Sequence, residues 1–121
     1  MLAMTWNIRG LGKDENMCFV KKVVNKHRPS LMFIQETKLS SFDSKVIRSI
    51  DGSWLTRGLG VESVGSAGGL ITLWNEDLFI AKACIKNSRC IIITGELVKF
   101  SKDVAFCNVY ASNVESDRIE L

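Results

Sequence analysis

The sequence predicts a single α/β domain, residues 1–121, with a mixed β-sheet. Three observations carry this prediction. Residues 2–8 alternate apolar and polar side chains, as a strand with one buried face does. Residues 17–27 repeat apolar side chains at helical spacing, and residues 31–34 form a short apolar run that suits a strand buried on both faces. Strand, helix and strand in this order predict parallel neighbours joined by a right-handed crossover.

Individual residues set the boundaries of this first unit. The buried face of the first strand is expected to consist of Leu2, Met4, Trp6 and Ile8. Asn7 then projects from the opposite face. Asp14 is expected to cap the helix. Pro29 ends the helix, because proline cannot continue it and biases Arg28 away from helical angles.

The rest of the chain is predicted to consist mostly of strands. Before them we expect a short helix at 42–50, a strand around Trp54 at 53–57 and a loop with five glycines at 58–69. Four further strands are expected, at 70–74, 79–85, 90–98 and 104–110. The second and third of these form a hairpin across residues 86–89, and helical propensity returns at 115–121.

Composition narrows the class of protein. Hydrophobic residues make up 46% of the 121 residues and charged residues 24%, the balance of an ordinary globular domain. The net charge of +3 permits a polyanionic partner without requiring one. The sequence lacks a transmembrane stretch and a signal peptide, so we expect an intracellular protein with no membrane partner. The four cysteines contain no Cys-x-x-Cys pair, which favours buried free thiols over a zinc site or a disulfide framework.

Two polar side chains follow the first two predicted strands. Asn7 ends the first strand and Glu36 follows the second. If these strands are parallel neighbours, both residues lie at the carboxyl edge of the sheet, where open α/β sheets bind ligands. A carboxylate and an amide oxygen suit Mg²⁺, which takes few protein ligands and keeps several waters. The alternative is that Glu36 is a solvated carboxylate and Asn7 a turn former.

Other candidate motifs are weaker. The glycines at 58–69 do not form a phosphate loop, because the Walker pattern needs Gly-Lys-Ser/Thr opening a helix. His27 is the only histidine, so the chain offers no obvious base for a hydrolase triad. Residues 108–113, which include Tyr110 and Asn113, either donate hydrogen bonds to a phosphate or form a strand end that leads into a helix cap.

Four motifs together resemble a known superfamily. They are Trp-Asn-Ile-Arg-Gly-Leu-Gly at 6–12, Phe-Ile-Gln-Glu-Thr-Lys at 33–38, Ser-Ala-Gly-Gly-Leu at 66–70 and Asn-Val-Tyr-Ala at 108–111. In this order they resemble the endonuclease/exonuclease/phosphatase superfamily. The likeness is greatest to the apurinic/apyrimidinic-endonuclease-like domain of plant LINE-type retrotransposons. The resemblance implies a DNase-like layered sandwich, in which two sheets pack face to face between helical layers.

The resemblance also implies roles for individual residues. Glu36 would be the metal ligand, and Asn7 would support the metal and the reacting phosphate. Tyr110 would contact the phosphate, Asn113 would assist it, and Lys38 would lie near the DNA backbone. The implied reaction is phosphodiester hydrolysis by an activated water, with Mg²⁺, or Mn²⁺ in its place, stabilising the leaving oxygen. The implied partner is DNA, and a functional protein would act in the nucleus.

Two departures from the superfamily pattern bear on activity. Ser112 stands where the family usually has proline. In the family, an Asp-x-Asn motif that aligns the attacking water and a still later Asp-His pair follow these four motifs, and neither occurs after residues 108–111 of this sequence. We therefore expect the N-terminal half of the domain, inactive alone. Its second sheet is expected to be missing, which would leave an apolar sheet face open and favour self-association.

Three functions remain open on the sequence. The first is a fragment of a Mg²⁺-dependent endonuclease of retroelement origin. The second is a non-catalytic remnant that binds nucleic acid weakly. The third is an enzyme of the same superfamily that acts on a phosphoinositide or a nucleotide. The amino-acid sequences of residues 6–12 and 65–70 favour the retroelement endonuclease over the third function. Coding sequence that continues in frame after Leu121 would separate the first two functions.

Overall fold

The computed structural model describes residues 1–42, 44–50, 52–65 and 67–111. Helices and strands alternate in the first part of the chain, and only strands and one 3₁₀ turn follow the second helix within these ranges. In chain order, the elements are β1 (Ala3–Asn7), α1 (Asp14–His27), β2 (Leu31–Gln35), α2 (Ser44–Ser49), β3 (Arg57–Val61), β4 (Leu70–Trp74), β5 (Phe79–Lys86), β6 (Cys90–Leu97), a 3₁₀ turn (Val98–Phe100) and β7 (Lys102–Val109). No helix in the described ranges is long and apolar enough to cross a membrane. The helix expected at 115–121 lies outside the described residues.

The first sheet is mixed, as predicted. Its strand order is β1-β2-β4-β3. β1 and β2 are parallel, and β4 runs antiparallel to both of its neighbours. On one face of this sheet, Met32 and Ile34 of β2 pack in one core with Val20 and Val24 of α1. The strand–helix–strand unit is therefore held together by the buried stripe of α1.

A second sheet covers the other face, so the expectation that this sheet is missing is wrong. β5, β6 and β7 form an antiparallel sheet in that order. Ile91 and Ile93 alternate on the inner face of β6 and share a core with Leu31 and Trp74 of the first sheet. Because Ile91, Ile93 and Leu97 occupy alternate positions on the inner face of β6, the strand can close a sandwich. The observed fold is a layered α/β sandwich with a mixed sheet and an antiparallel sheet.

The strand expected at 53–57 is wrong, and the loop expected at 58–69 is wrong over residues 58–61, because a strand occupies Arg57–Val61. The sequence did not predict this strand because it contains Gly58 and Gly60, and glycine is depleted in strands. Gly60 has a packing reason: a Cβ there would collide with the ring of Phe42. Leu59 and Val61, on the alternate positions, pack against the core between the sheets.

Trp54 lies in a turn and joins two segments. Its Nε1 donates a hydrogen bond of 2.6 Å to the carbonyl of Pro29. The guanidinium of Arg28 lies 4.0 Å from the centre of its ring, a cation–π contact. The apolar ring therefore anchors the turn after α1 and does not belong to a strand.

The caps of α1 differ from the expectation at one end. Lys13 occupies the N-cap position without a side-chain hydrogen bond, and Asp14 is the first helical residue. Asp14 is thus not the cap; it lies near the positive end of the helix dipole. At the other end, Arg28 takes the left-handed conformation and its N–H donates to the carbonyl of Val24. Pro29 follows, so the predicted end of the helix is confirmed.

The four cysteines are free, but the expectation that they are buried is wrong. Cys18, Cys84 and Cys107 are exposed, and Cys90 is half-buried. Cys107 pairs with Ile92 on the outer face of the second sheet, away from the core. Partial burial and, second, the nearby Cys90 thiol raise the pKa of Cys107 above its ordinary value. A thiol of this kind is less readily ionised than an ordinary one.

Candidate active site

The carboxyl ends of β1 and β2 lie side by side. Asn7 is opposite Gln35 in the parallel register. Met4 and Trp6 pack toward the core beside α1, so the alternation of β1 directs Asn7 to the other face. Asn7 is exposed there, while Leu31 and Phe33 on the same face of β2 are covered by the second sheet. The second sheet therefore leaves the Asn7 end of β1 open to solvent.

Main-chain hydrogen bonds join the loops that follow these two strands. The N–H of Gly10 donates to the carbonyl of Glu36 at 2.8 Å, and that of Leu11 donates to Thr37 at 2.8 Å. The loop after β2 is bonded in turn to the chain before β4. There Lys38 N–H donates to the carbonyl of Gly68 at 2.9 Å. Three segments that are distant in sequence thus form one connected backbone structure.

Backbone strain is concentrated in these loops. Three non-glycine residues adopt positive φ angles there: Arg9 at 53°, Glu36 at 53° and Lys38 at 55°. In this region the Cβ crowds the following carbonyl, at a cost of about 1–2 kcal/mol per residue. Such residues persist only where the surrounding structure holds them, and they cluster at functional sites. The hydrogen bonds of Gly10 and Lys38 supply that restraint.

Gly68 and Gly69 make room for this arrangement. Both have positive φ angles, of 82° and 94°. A Cβ on Gly69 would collide with the hydroxyl of Thr37 and lie 3.1 Å from the amide nitrogen of Lys38. A Cβ on Gly68 would lie 3.6 Å from the ring of Tyr110. The glycine pair is therefore where the loop after β2 and the residue after β7 approach the first sheet.

A buried amide connects the two sheets below the site. Asn108 is 1% exposed. Its Oδ1 accepts a hydrogen bond of 2.8 Å from Nε2 of Gln35, and its Nδ2 donates to the carbonyl of Ile71 at 3.0 Å and to Oγ1 of Thr72 at 3.2 Å. Gln35 Nε2 also donates to Thr5 Oγ1 at 2.9 Å. This network fixes the end of β7 over the ends of β2 and β4.

The residues proposed from the sequence are distributed as follows. Asn7, Glu36 and Tyr110 lie at the same end of the sandwich, with Glu36 and Tyr110 half-buried and Asn7 exposed. Lys38 is exposed at that end. Asn113, like Ser112, lies outside the described residues. The roles of these residues remain predictions, because a shared location does not establish chemistry.

Sequence reasoning assigned no role to Gln35 or Asn108. A signal existed for Asn108, which follows the inward-facing Val104 and Phe106 at a spacing of two. A lone amide in an apolar register marks a buried polar group that needs partners. Gln35 offered no comparable signal, because it lies next to the more conspicuous Glu36.

Comparisons with known proteins give a structural likeness only. No protein-family model matches the sequence, and no curated protein matches it. Among solved structures, AP endonuclease LMAP from Leishmania major superposes with a TM-score of 0.63 at 16% identity, over 96% of this chain and 42% of that one. The 3′ phosphatase NExo from Neisseria, bound to a product DNA hairpin, gives 0.60 at 16% identity, over 91% and 41%. ANGEL2, a 2′,3′-cyclic phosphatase, gives 0.67 at 10% identity, over 91% and 40%.

The chain therefore shares the layered α/β fold of these three solved structures. The chain spans about two-fifths of the length of these matched structures. At identities this low the likeness concerns the fold alone.

Few side chains at this end of the sandwich could act as oxygen ligands for a metal ion. The part of the chain that the structure describes contains no group of three or more His, Cys, Asp or Glu residues able to hold a metal. Glu36 offers one carboxylate, and Asn7 at the neighbouring strand end offers an amide oxygen. Hard oxygen donors in small number fit Mg²⁺, which retains most of its water shell.

Proposed function

We propose that this chain forms the metal- and phosphate-binding half of a Mg²⁺-dependent phosphodiesterase that acts on DNA. The observation that carries the proposal is the joining of the Asn7, Glu36 and Tyr110 segments at one end of a nuclease-type sandwich. Strained backbone at Glu36 and Lys38 supports a functional role for this end. The likeness to an AP endonuclease and to a DNA-bound 3′ phosphatase supports DNA as the substrate.

Each residue has a distinct role in this proposal. Glu36, with the amide oxygen of Asn7, would hold Mg²⁺, or Mn²⁺ in its place. When bound, the ion would neutralise charge on the phosphate and on the leaving oxygen. The Tyr110 hydroxyl would donate a hydrogen bond to a phosphate oxygen, with Asn113 as a second donor. Lys38 would attract the strand beside the scissile phosphate.

We further propose that the chain is inactive alone. Hydrolysis also needs a group that positions the attacking water and a second clamp on the phosphate, and groups that act as a unit fail together. In this proposal both come from the remainder of an endonuclease domain. The resemblance of residues 6–12 and 65–70 supports a retroelement origin and a nuclear site of action. Coding sequence that continues in frame past Leu121 would support the fragment proposal.

Plasmid nicking in Mg²⁺ tests the proposal. The chain alone should leave supercoiled plasmid intact, and a protein extended by the C-terminal half of a superfamily member should nick it. Glu36→Gln in the extended protein removes the carboxylate but keeps the side-chain shape, so nicking should fall to background. Glu96→Gln is the matched control, because Glu96 lies on the outer face of the second sheet.

Two results would contradict the proposal. Robust Mg²⁺-dependent nicking by the 121-residue chain would refute the inactivity of the isolated half. Full nicking by the Glu36→Gln extended protein would refute the metal assignment.

Two alternatives each have one observation in their favour. The TM-score of 0.67 with a 2′,3′-cyclic phosphatase favours a phosphoester substrate other than duplex DNA. The absence of a three-ligand metal cluster from the described residues favours a non-catalytic nucleic-acid binder. Hydrolysis of small phosphoesters by the extended protein would support the first. DNA binding without nicking by that protein would support the second.

A further inference from the structure

Two lysine side chains lie against the same glycine at the site end. Gly10 follows β1 with a φ of 111°. A Cβ placed on it would lie 3.9 Å from Cε of Lys13 and 3.9 Å from Cδ of Lys38. The two aliphatic stems are therefore within van der Waals range of one point, although they come from different loops. Both residues are exposed, so their ammonium groups reach solvent beside the Glu36 loop.

The backbone fixes the origin of each stem. Lys38 is held by the 2.9 Å bond from its N–H to Gly68 and by the bond between Gly10 and Glu36. Lys13 is the N-cap residue of α1, and its carbonyl accepts a hydrogen bond of 3.0 Å from Met17. The main chain therefore fixes the two points from which these side chains extend toward Gly10.

These two cations have no ion-pair partner among the described residues. Elsewhere on the surface, Lys82 lies 3.2 Å from Asp103 and 3.7 Å from Glu96, and Arg57 lies 2.8 Å from Glu76. The hydrogen bond and charge of Asp103 raise the pKa of Lys82. The two lysines beside Gly10 form no such pair in the described structure. Arg9, exposed in the same loop, adds a third positive charge.

We propose that Lys13 and Lys38 together bind one phosphate of a nucleic-acid backbone, next to the phosphate held at Glu36. The inference deepens the proposed function, on which it rests, by naming Lys13 as a backbone-binding residue and the pair as one subsite. Each ammonium acts as a point charge with three donors, and two of them can take different oxygens of one phosphate. Binding at this subsite needs no metal, because both groups carry their own charge.

Fluorescence anisotropy of a labelled 12-base-pair DNA duplex in EDTA tests the subsite. Affinity would be measured over a series of KCl concentrations for the wild-type chain and for Lys13→Gln, Lys38→Gln and the double variant. Each single substitution should weaken binding about 3- to 10-fold at low salt and reduce the salt slope by about 1. Because the two lysines share one phosphate, the double variant should lose less than the product of the two single losses.

Lys22→Gln and Lys26→Gln are the matched controls. They remove the same charge from exposed positions of α1 away from Gly10, and each should weaken binding less than 2-fold. Equal effects of Lys13→Gln and Lys26→Gln would overturn the proposal, as would independent, multiplicative losses in the double variant or no DNA binding by the wild-type chain. Since these measurements exclude metal, their failure is distinct from a failure of nicking. Circular dichroism of each variant checks that the fold is retained.

Discussion

At the scale of single residues, the least replaceable side chain near the site is a neutral amide. Asn108 satisfies both its donor and its acceptor groups inside the sandwich, on Gln35, Ile71 and Thr72. A buried amide of this kind contributes to stability and also fixes which residues of the two sheets face each other. The side chains of the proposed ligands Asn7 and Glu36 form no comparable hydrogen bonds within the described part of the chain.

Asn108→Ala should therefore lower the free energy of unfolding by about 1–3 kcal/mol, because Gln35 is left without its buried acceptor. Asn25→Ala is the matched control. The Asn25 side chain also donates to a carbonyl, that of Lys21, but on an exposed helix face, and it should change stability by less than about 0.5 kcal/mol. Urea unfolding followed by tryptophan fluorescence measures both. Equal midpoints for the two variants would show that the buried network adds nothing.

At the scale of elements, the site depends on how the chain enters β4. Gly68 and Gly69, just before β4, accept hydrogen bonds from the backbone N–H groups of Lys38 and Thr37. Main-chain hydrogen bonds thus position the loops that carry the proposed site residues. Glycine is needed here for two reasons: the φ angles are positive, and a Cβ on Gly69 would collide with Thr37.

Gly69→Ala and Gly65→Ala separate those two requirements. Both residues have positive φ angles, but a Cβ on Gly65 meets open space, whereas one on Gly69 collides with Thr37. Gly65→Ala should cost only the backbone strain of about 1 kcal/mol. Gly69→Ala should cost about 1–3 kcal/mol more, because it overpacks the junction. Thermal unfolding of the two variants gives the comparison, and similar losses would mean that the junction can relax.

The elements also show what the sequence could and could not predict. The parallel β1–β2 pair follows from local patterns, so the neighbouring positions of Asn7 and Glu36 could be predicted. The strand β3 could not, because Gly58 and Gly60 carry no strand signal, and Gly60 is explained only by its packing against Phe42. The bond between Gln35 and Asn108 joins residues from different sheets, and no local pattern encodes its partner.

At the scale of the whole molecule, the exposed apolar surface lies elsewhere than expected. The inner face of the first sheet is largely covered by the second. The outer face of the second sheet instead presents Ile85, 68% exposed, and Val109, 40% exposed, with Ile92 in the same row as Ile85. β5 is also an edge strand of that sheet. An apolar face beside an open edge favours association between copies.

Sedimentation velocity should therefore show a mass that rises with protein concentration. Ile85→Lys places a charge on this face and edge and should shift the chain toward monomer. Val64→Lys is the control, because Val64 is equally exposed, at 72%, but lies in the loop before β4. Suppression of association by both variants would indicate a general effect of charge and not this face.

The bond between Gln35 and Asn108 spans 73 residues of sequence, which bears on the order in which the protein folds during synthesis. The first strand–helix–strand unit leaves the ribosome long before β7 exists, so it can form its local contacts, including the bond from Gln35 to Thr5, before Asn108 is available. Closing so large a loop is slow compared with forming the local unit. The site end should consequently be the last part to become rigid, and a pause in translation before residue 108 would prolong an intermediate with its inner sheet face exposed.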